Sequence, residues 1–215
     1  MDAGDGVRVF DMRRQWSSAF SDSGPVEKIG YAVHHSVTGV GDGSLAGDLA
    51  VIEAIHRYHV DVNGWGGIGY HRVIGSGRRV YLVGGSAGQR AHVAGLNHQY
   101  IGWCLLGDWS HVRPDDDRMT ALRVGLSWET DRRGVPMVIA PHKRLNEGTL
   151  CPGGWAARES WAGLVLRPGV AEPSAPAPGA VVPPSARQVF EEMLRRARAA
   201  LADLEDTDDE LGIPG

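Results

Sequence analysis

The chain has 215 residues, 42% of them hydrophobic and 22% charged, with a formal net charge of −4 when its nine histidines are neutral. That length can bury a core in one catalytic-sized domain and leaves room for a short appendage. The balance is that of an ordinary globular protein, and the absence of a basic excess argues against DNA or RNA as a partner.

The opening stretch, MDAGDGVRVFDMRRQW, places acids before its arginines and contains no apolar run. Neither a secretory signal nor a membrane-inserting helix is expected from it. Beyond it, apolar runs alternate with turn residues and helical stretches. Strands are expected over 28–33, 68–74, 79–83, 101–106 and 137–140, and helices over 45–60 and 117–133. Strands interleaved with helices, together with one hairpin-like pair, predict an α/β fold with a mixed central β-sheet flanked by helices.

A Pro/Ala-rich segment, including EPSAPAPGAVVPP, then reads as an extended linker over 168–184. After it, Ser185 and Gln188 form a capping-box pair. Val189, Met193, Ala197, Leu201 and Leu204 recur at helical spacing, so an amphipathic C-terminal helix is expected over 185–206, with an acidic tail over 207–215. Docking or self-association would bury the apolar stripe of that helix. The main domain is assigned to 1–167.

Three blocks carry the chemistry. In YAVHHS, an apolar strand delivers His34 and His35 to a turn. Neighbouring strand side chains point to opposite faces, so the two rings address different sites. His34 shares its face with the small residues Gly30 and Ala32, which leave room above the sheet, and is the ligand candidate; His35 is a packing or supporting residue. In APHKRLNEGTLCPGG, His142 follows the last apolar strand and Cys151 precedes a Pro-Gly turn. Imidazole nitrogen and thiolate are preferred zinc donors, and a His2Cys set leaves a fourth tetrahedral position open for water. In NGWGGIGYHRVIG, glycines bring the backbone close before Tyr70, whose phenol could hydrogen-bond a developing oxyanion, and His71, which points off that face. Cys104, in the apolar run IGWCLLG, reads as a small buried hydrophobe unpaired with Cys151. Trp103 and Trp128 read as core.

Taken in order, VHHS, NGWGGIGYH, AHVAGLNHQYIGWCLLGDW and PHKRLNEGTLCPG resemble the type 2 N-acetylmuramoyl-L-alanine amidases, a family that includes peptidoglycan recognition proteins and amidase-type phage lysozymes. The resemblance covers about Tyr31 to Gly153. It implies a zinc ion held by His34, His142 and Cys151, peptidoglycan as the partner, and Tyr70 and Thr149 as the groups that polarise the scissile carbonyl. His35, Trp65, His92 and Asn97 are carried as substrate-groove candidates, and Glu147 as a further loop residue within reach of the site. A cysteine third ligand resembles the recognition-protein and phage branch, whereas the cytoplasmic recycling amidases of the family have aspartate there. Members that lose the cysteine bind peptidoglycan without cleaving it. The loop between His142 and Cys151 is one residue longer than the family's commonest pattern. The expectation is therefore an amidase cutting between the lactyl group of N-acetylmuramic acid and L-alanine. A phage or prophage endolysin, made in the host cytoplasm and acting on the cell wall after release, fits best. The alternatives are a non-catalytic peptidoglycan-binding module and a component of a phage particle.

Overall fold

Among the described residues, one sheet of eight strands organises the domain, in the order β1-β2-β5-β4-β6-β3-β7-β8. The computed structural model describes residues 1–16, 27–86 and 88–169. The described residues fall within one compact unit, Met1–Ser174. The predicted C-terminal helix and tail, and almost all of the predicted linker, lie outside the described residues.

The strands are β1 (Asp2–Gly4), β2 (Val7–Asp11), β3 (Gly30–His35), β4 (Arg72–Ile74), β5 (Arg79–Leu82), β6 (Tyr100–Leu105), β7 (Met137–Pro141) and β8 (Val165–Leu166). Parallel pairing joins β2 to β5, β4 to β6, and β3 to both β6 and β7. Antiparallel pairs are β1 with β2, β4 with β5, and β7 with β8. The sheet is therefore mixed, as expected. The β1–β2 hairpin and β8 are not in the sequence expectation; in β2, Val7 and Val9 are buried while Arg8 between them is exposed, the alternation of a strand with one face on a core.

Helices α1 (Leu45–Arg57) and α2 (Asp116–Arg133) cover opposite faces. Ile52 and Ile55 of α1 pack with Val73, Tyr81, Cys104 and Leu106. Leu122 and Leu126 of α2 pack with Tyr31, Val33, Trp103 and Leu105. Both helices begin where side-chain caps stop the backbone donors from going unpaired: Ser44 accepts from Gly47 N and Asp115 from Arg118 N. Gly134, at φ 70°, closes α2 in the left-handed conformation that favours glycine. Gly125 lets α2 sit close to the sheet, because a Cβ there would lie 2.8 Å from the Trp103 ring.

The first helix is shorter than the apolar spacing predicts. Beyond Arg57 the chain widens into a π-helical turn, Tyr58–Val62, so Val60 belongs to that turn rather than to α1. The widening has a function in the fold: His59 Nδ1 accepts from Gly69 N at 3.0 Å and His59 O accepts from Trp65 N at 2.9 Å. The end of α1 thereby holds the glycine-rich loop that precedes Tyr70. At the other end of α1, the fully buried Asp48 accepts from Arg79 Nε at 2.7 Å, from Tyr81 Oη at 2.8 Å and from Ser76 N at 3.1 Å, tying the helix to the β4–β5 hairpin.

Candidate metal centre

The centre lies at the carboxyl ends of two neighbouring parallel strands. His34, near the end of β3, is in register with Cys104 of β6, on the α1 face of the sheet. His35 falls on the other face; its Nδ1 accepts from Trp109 N at 3.0 Å and lies 3.7 Å from Asp108 Oδ1. His142 opens a four-residue helix, α3 (His142–Leu145), directly after β7. Cys151 returns to the centre through a loop closed at its neck by Lys143 N donating to Cys151 O at 2.8 Å.

One donor atom from each of His34, His142 and Cys151 lies within 4.8 Å of the others. His34 Nδ1 is 3.7 Å from Cys151 Sγ, and the His34 and His142 ring centroids are 4.4 Å apart. His142 Nε2 is buried with no hydrogen-bond partner among the described residues. A buried nitrogen left in that state costs about 1–3 kcal/mol, which a cation at the centre would remove. Two imidazoles and a thiol, with one imidazole nitrogen otherwise unused, fit zinc.

The electrostatics agree with that fit. Burial first, then the neighbouring His92 and His142 rings, holds His34 well below the ordinary histidine range, and burial lowers His142 as well. Both rings are thus neutral and able to offer a lone pair. Burial pushes the Cys151 thiol up to about 12, against a hydrogen bond from His35 N at 3.4 Å. A divalent cation is the kind of charge that would hold it as thiolate.

Tyr70 stands beside this group, its ring centroid 5.5 Å from that of His34 and 5.6 Å from that of His59. Burial, and then the Cys104 and Cys151 thiols, pushes its phenol well above the ordinary value, so it is a neutral hydrogen-bond donor. Thr149 Oγ1 accepts from Cys151 N at 3.1 Å. That bond occupies a lone pair and leaves the hydroxyl proton available next to the ligand.

A family model described as N-acetylmuramoyl-L-alanine amidase matches residues 26–154. The chain belongs to that family. Among its relatives, peptidoglycan-recognition protein SC2 of Drosophila melanogaster is 28% identical over 162 residues, covering 73% of this chain and 87% of the relative. The fold is shared with a Drosophila PGRP-LB variant in complex with tracheal cytotoxin, at a TM-score of 0.58 and 22% identity over 71% of this chain and 92% of that one. It is shared also with the endolysin LysCS, an N-acetylmuramoyl-L-alanine amidase from Clostridium intestinale, at a TM-score of 0.56 and 20% identity over 70% and 91% of the two chains.

Within this amidase-family domain the expected groove residues are placed unevenly. Trp65 is half-buried and rests on His59, ring centroids 4.6 Å apart. Asn97 turns inward to its own loop, where Oδ1 accepts from His92 N at 2.8 Å and from Val93 N at 2.7 Å. His92, expected on a groove wall, lies instead behind His34, 8% exposed, with Nδ1 3.1 Å from His34 Nε2 and Nε2 3.1 Å from Tyr100 O. His35 is buried against the Trp109 backbone. Glu147 is exposed and lines a surface recess with Lys143 and Arg144. His71 is fully buried, its Nε2 2.9 Å from Gly88 O and its Nδ1 accepting from Gly102 N at 2.9 Å.

Two contributors escape a reading of the sequence. His59 acts through the π turn, which has no periodicity signal of its own. Cys104 lies beside His34 in the ladder, and its thiol is among the groups that push the Tyr70 phenol up, a placement that depends on the β3–β6 register. The one available signal was its matching parity with Gly102 in the strand run.

Proposed function

We propose that this chain is a zinc-dependent N-acetylmuramoyl-L-alanine amidase that hydrolyses the amide between the lactyl group of N-acetylmuramic acid and L-alanine in peptidoglycan. The observation that carries the reading is the buried His34, His142 and Cys151 donor set, with His142 Nε2 otherwise unpartnered. Peptidoglycan as the partner is supported by a relative named as a peptidoglycan-recognition protein. The likeness in fold to a protein named as an endolysin fits a wall-lytic role, and a phage or prophage origin, with synthesis in the host cytoplasm and action on the wall after release, is proposed with it.

When bound, zinc supplies a Lewis acid that makes water acidic near neutral pH. His34 and His142 present neutral nitrogens and Cys151 a sulfur on which negative charge is stabilised by the cation. Tyr70, held as a neutral phenol by burial, donates to the carbonyl oxygen as negative charge develops there. The Thr149 hydroxyl is oriented by the Cys151 amide and provides a second donor next to that ligand. His59 and the loop it holds keep the Tyr70 ring in place.

The test is digestion of purified peptidoglycan with zinc-loaded protein, followed by mass spectrometry of the soluble products. New L-alanine amino termini are expected from the wild type and are expected to vanish with chelator or with Cys151→Ala. Binding to peptidoglycan without new termini would replace this reading with that of a recognition module.

A further inference from the structure

We propose that His92 is a positioning residue: it fixes the tautomer of His34 by accepting a hydrogen bond from His34 Nε2, so that His34 Nδ1 carries the lone pair facing the cation. The inference rests on the reading of His34, His142 and Cys151 as the zinc ligands.

The direction of the chain of hydrogen bonds follows from its far end. Tyr100 O is a carbonyl and can only accept, so His92 Nε2, 3.1 Å away, bears the proton. A neutral imidazole has one N–H, which makes His92 Nδ1 an acceptor. His34 Nε2, at 3.1 Å from it, must then donate, and the lone pair of His34 is left on Nδ1. That is the nitrogen 3.7 Å from Cys151 Sγ, on the side of the donor set. A metal-binding histidine usually gives its second N–H to a carboxylate, carbonyl or water. Here an imidazole takes that place and passes the constraint on to a backbone carbonyl.

The protein shapes the space for this arrangement. A Cβ on Gly102 of β6 would lie 2.8 Å from His92 Cγ and 2.9 Å from its Nδ1, so the ring lies against bare backbone. Asn97 Oδ1 anchors the His92 and Val93 amides. The His71 ring meets His92 edge-on with centroids 5.3 Å apart, and both its nitrogens are satisfied by backbone groups. With both His92 nitrogens engaged inside the protein, neither is left to hold a sugar or peptide.

Two substitutions separate positioning from simple filling. Asparagine can place its carbonyl oxygen where Nδ1 was, keeping the acceptor for His34. Glutamine can place its amide where Nε2 was, keeping only the donor for Tyr100 O. Zinc dissociation constants of the full chain are measured by competition with a chromophoric chelator for wild type, His92→Asn, His92→Gln and His92→Phe. Asn is expected within about threefold of wild type, with Gln and Phe weakened by about 10–100-fold. Gln binding zinc as tightly as Asn or tighter would overturn the proposal. Failure of the wild type to bind zinc, or wild-type affinity in Cys151→Ala, would instead sink the metal reading beneath it, and the proposal with it. A second measurement does not depend on any variant folding: long-range proton–nitrogen correlation spectra of the chelated wild type should show Nε2–H tautomers at both His92 and His34. An Nδ1–H tautomer at His34 would refute the proposal outright.

Discussion

Removing the carboxylate of Asp48 should strongly destabilise the domain although the change lies outside its apolar core. The side chain is fully buried and accepts from Arg79 Nε at 2.7 Å, Tyr81 Oη at 2.8 Å and Ser76 N at 3.1 Å. The Arg79 side chain is only 8% exposed, so Asp48→Ala leaves a buried guanidinium without its counter-charge. Breaking such a pair from one side costs about 3–5 kcal/mol. For a domain of this size each kcal/mol lowers the melting midpoint by about 2–4 °C, so a fall of about 6–20 °C is expected. Gly75 gives a second handle on the same feature, because a Cβ there would lie 2.2 Å from Asp48 Oδ2 and 2.5 Å from its Cγ. Gly75→Ala should therefore destabilise the wild type and do less harm once Asp48 is alanine, since most of the clash is then gone. The assay is urea and thermal denaturation of the two single variants and the double variant, all in excess chelator so that metal linkage does not enter. A loss below about 1 kcal/mol for Asp48→Ala, or strict additivity of the two changes, would refute the reasoning.

Tyr70→Phe should lower kcat by about 10²–10³-fold while leaving zinc affinity at the wild-type value, because it removes an oxyanion donor and no ligand; peptidoglycan turnover and chelator competition read the two separately. Gly102→Ala should weaken zinc binding through the His92 ring, whose Cγ would be 2.8 Å from the new methyl; unchanged zinc affinity would mean that the ring can yield without cost. Burial and then His56 hold His59 at about 4 against an ordinary 6.5, so between those values the unfolded chain takes a proton that the folded one excludes. Stability is then complete above about pH 6.5 and falls as pH drops toward 4, and His59→Gln should make that decline shallower in chelated protein. An identical slope in wild type and variant would count against His59 as a contributor.

How far the sequence could be read depended on whether the information was local. Helix α2 was legible because its spacing is written within one stretch, and the expected and observed ends differ by a single residue at its start. The central strands were legible from short apolar runs. The β1–β2 hairpin was not, because its strands are brief and half polar and β5, the further partner of β2, lies some seventy residues on. For the centre, strand parity alone separates His34 from His35, and the structure has their side chains on opposite faces of the sheet. Parity could not reveal that His92 would lie behind His34, since that depends on a loop folding back over Gly102. The same limit applies to Cys104, whose neighbour across the ladder no single strand records.

The loop that delivers Cys151 bears on how lengths between motif residues are interpreted. Its two ends are fastened to each other: Lys143 N meets Cys151 O at 2.8 Å, while Asn146, accepting from Gly148 N at 3.0 Å, folds the tip. Such a loop behaves as a purse drawn shut at the mouth, and what sits at the mouth is indifferent to how much cloth hangs below. An added residue would be taken up at that tip, and because closing a flexible loop costs only about 0.6 kcal/mol more for each doubling of its length, the energetic effect is slight. The spacing between the second and third donors can therefore drift among related chains while the donors themselves stay in place. A count of residues between histidine and cysteine is a poor reason to doubt a centre of this kind; the closure at its mouth is the better criterion.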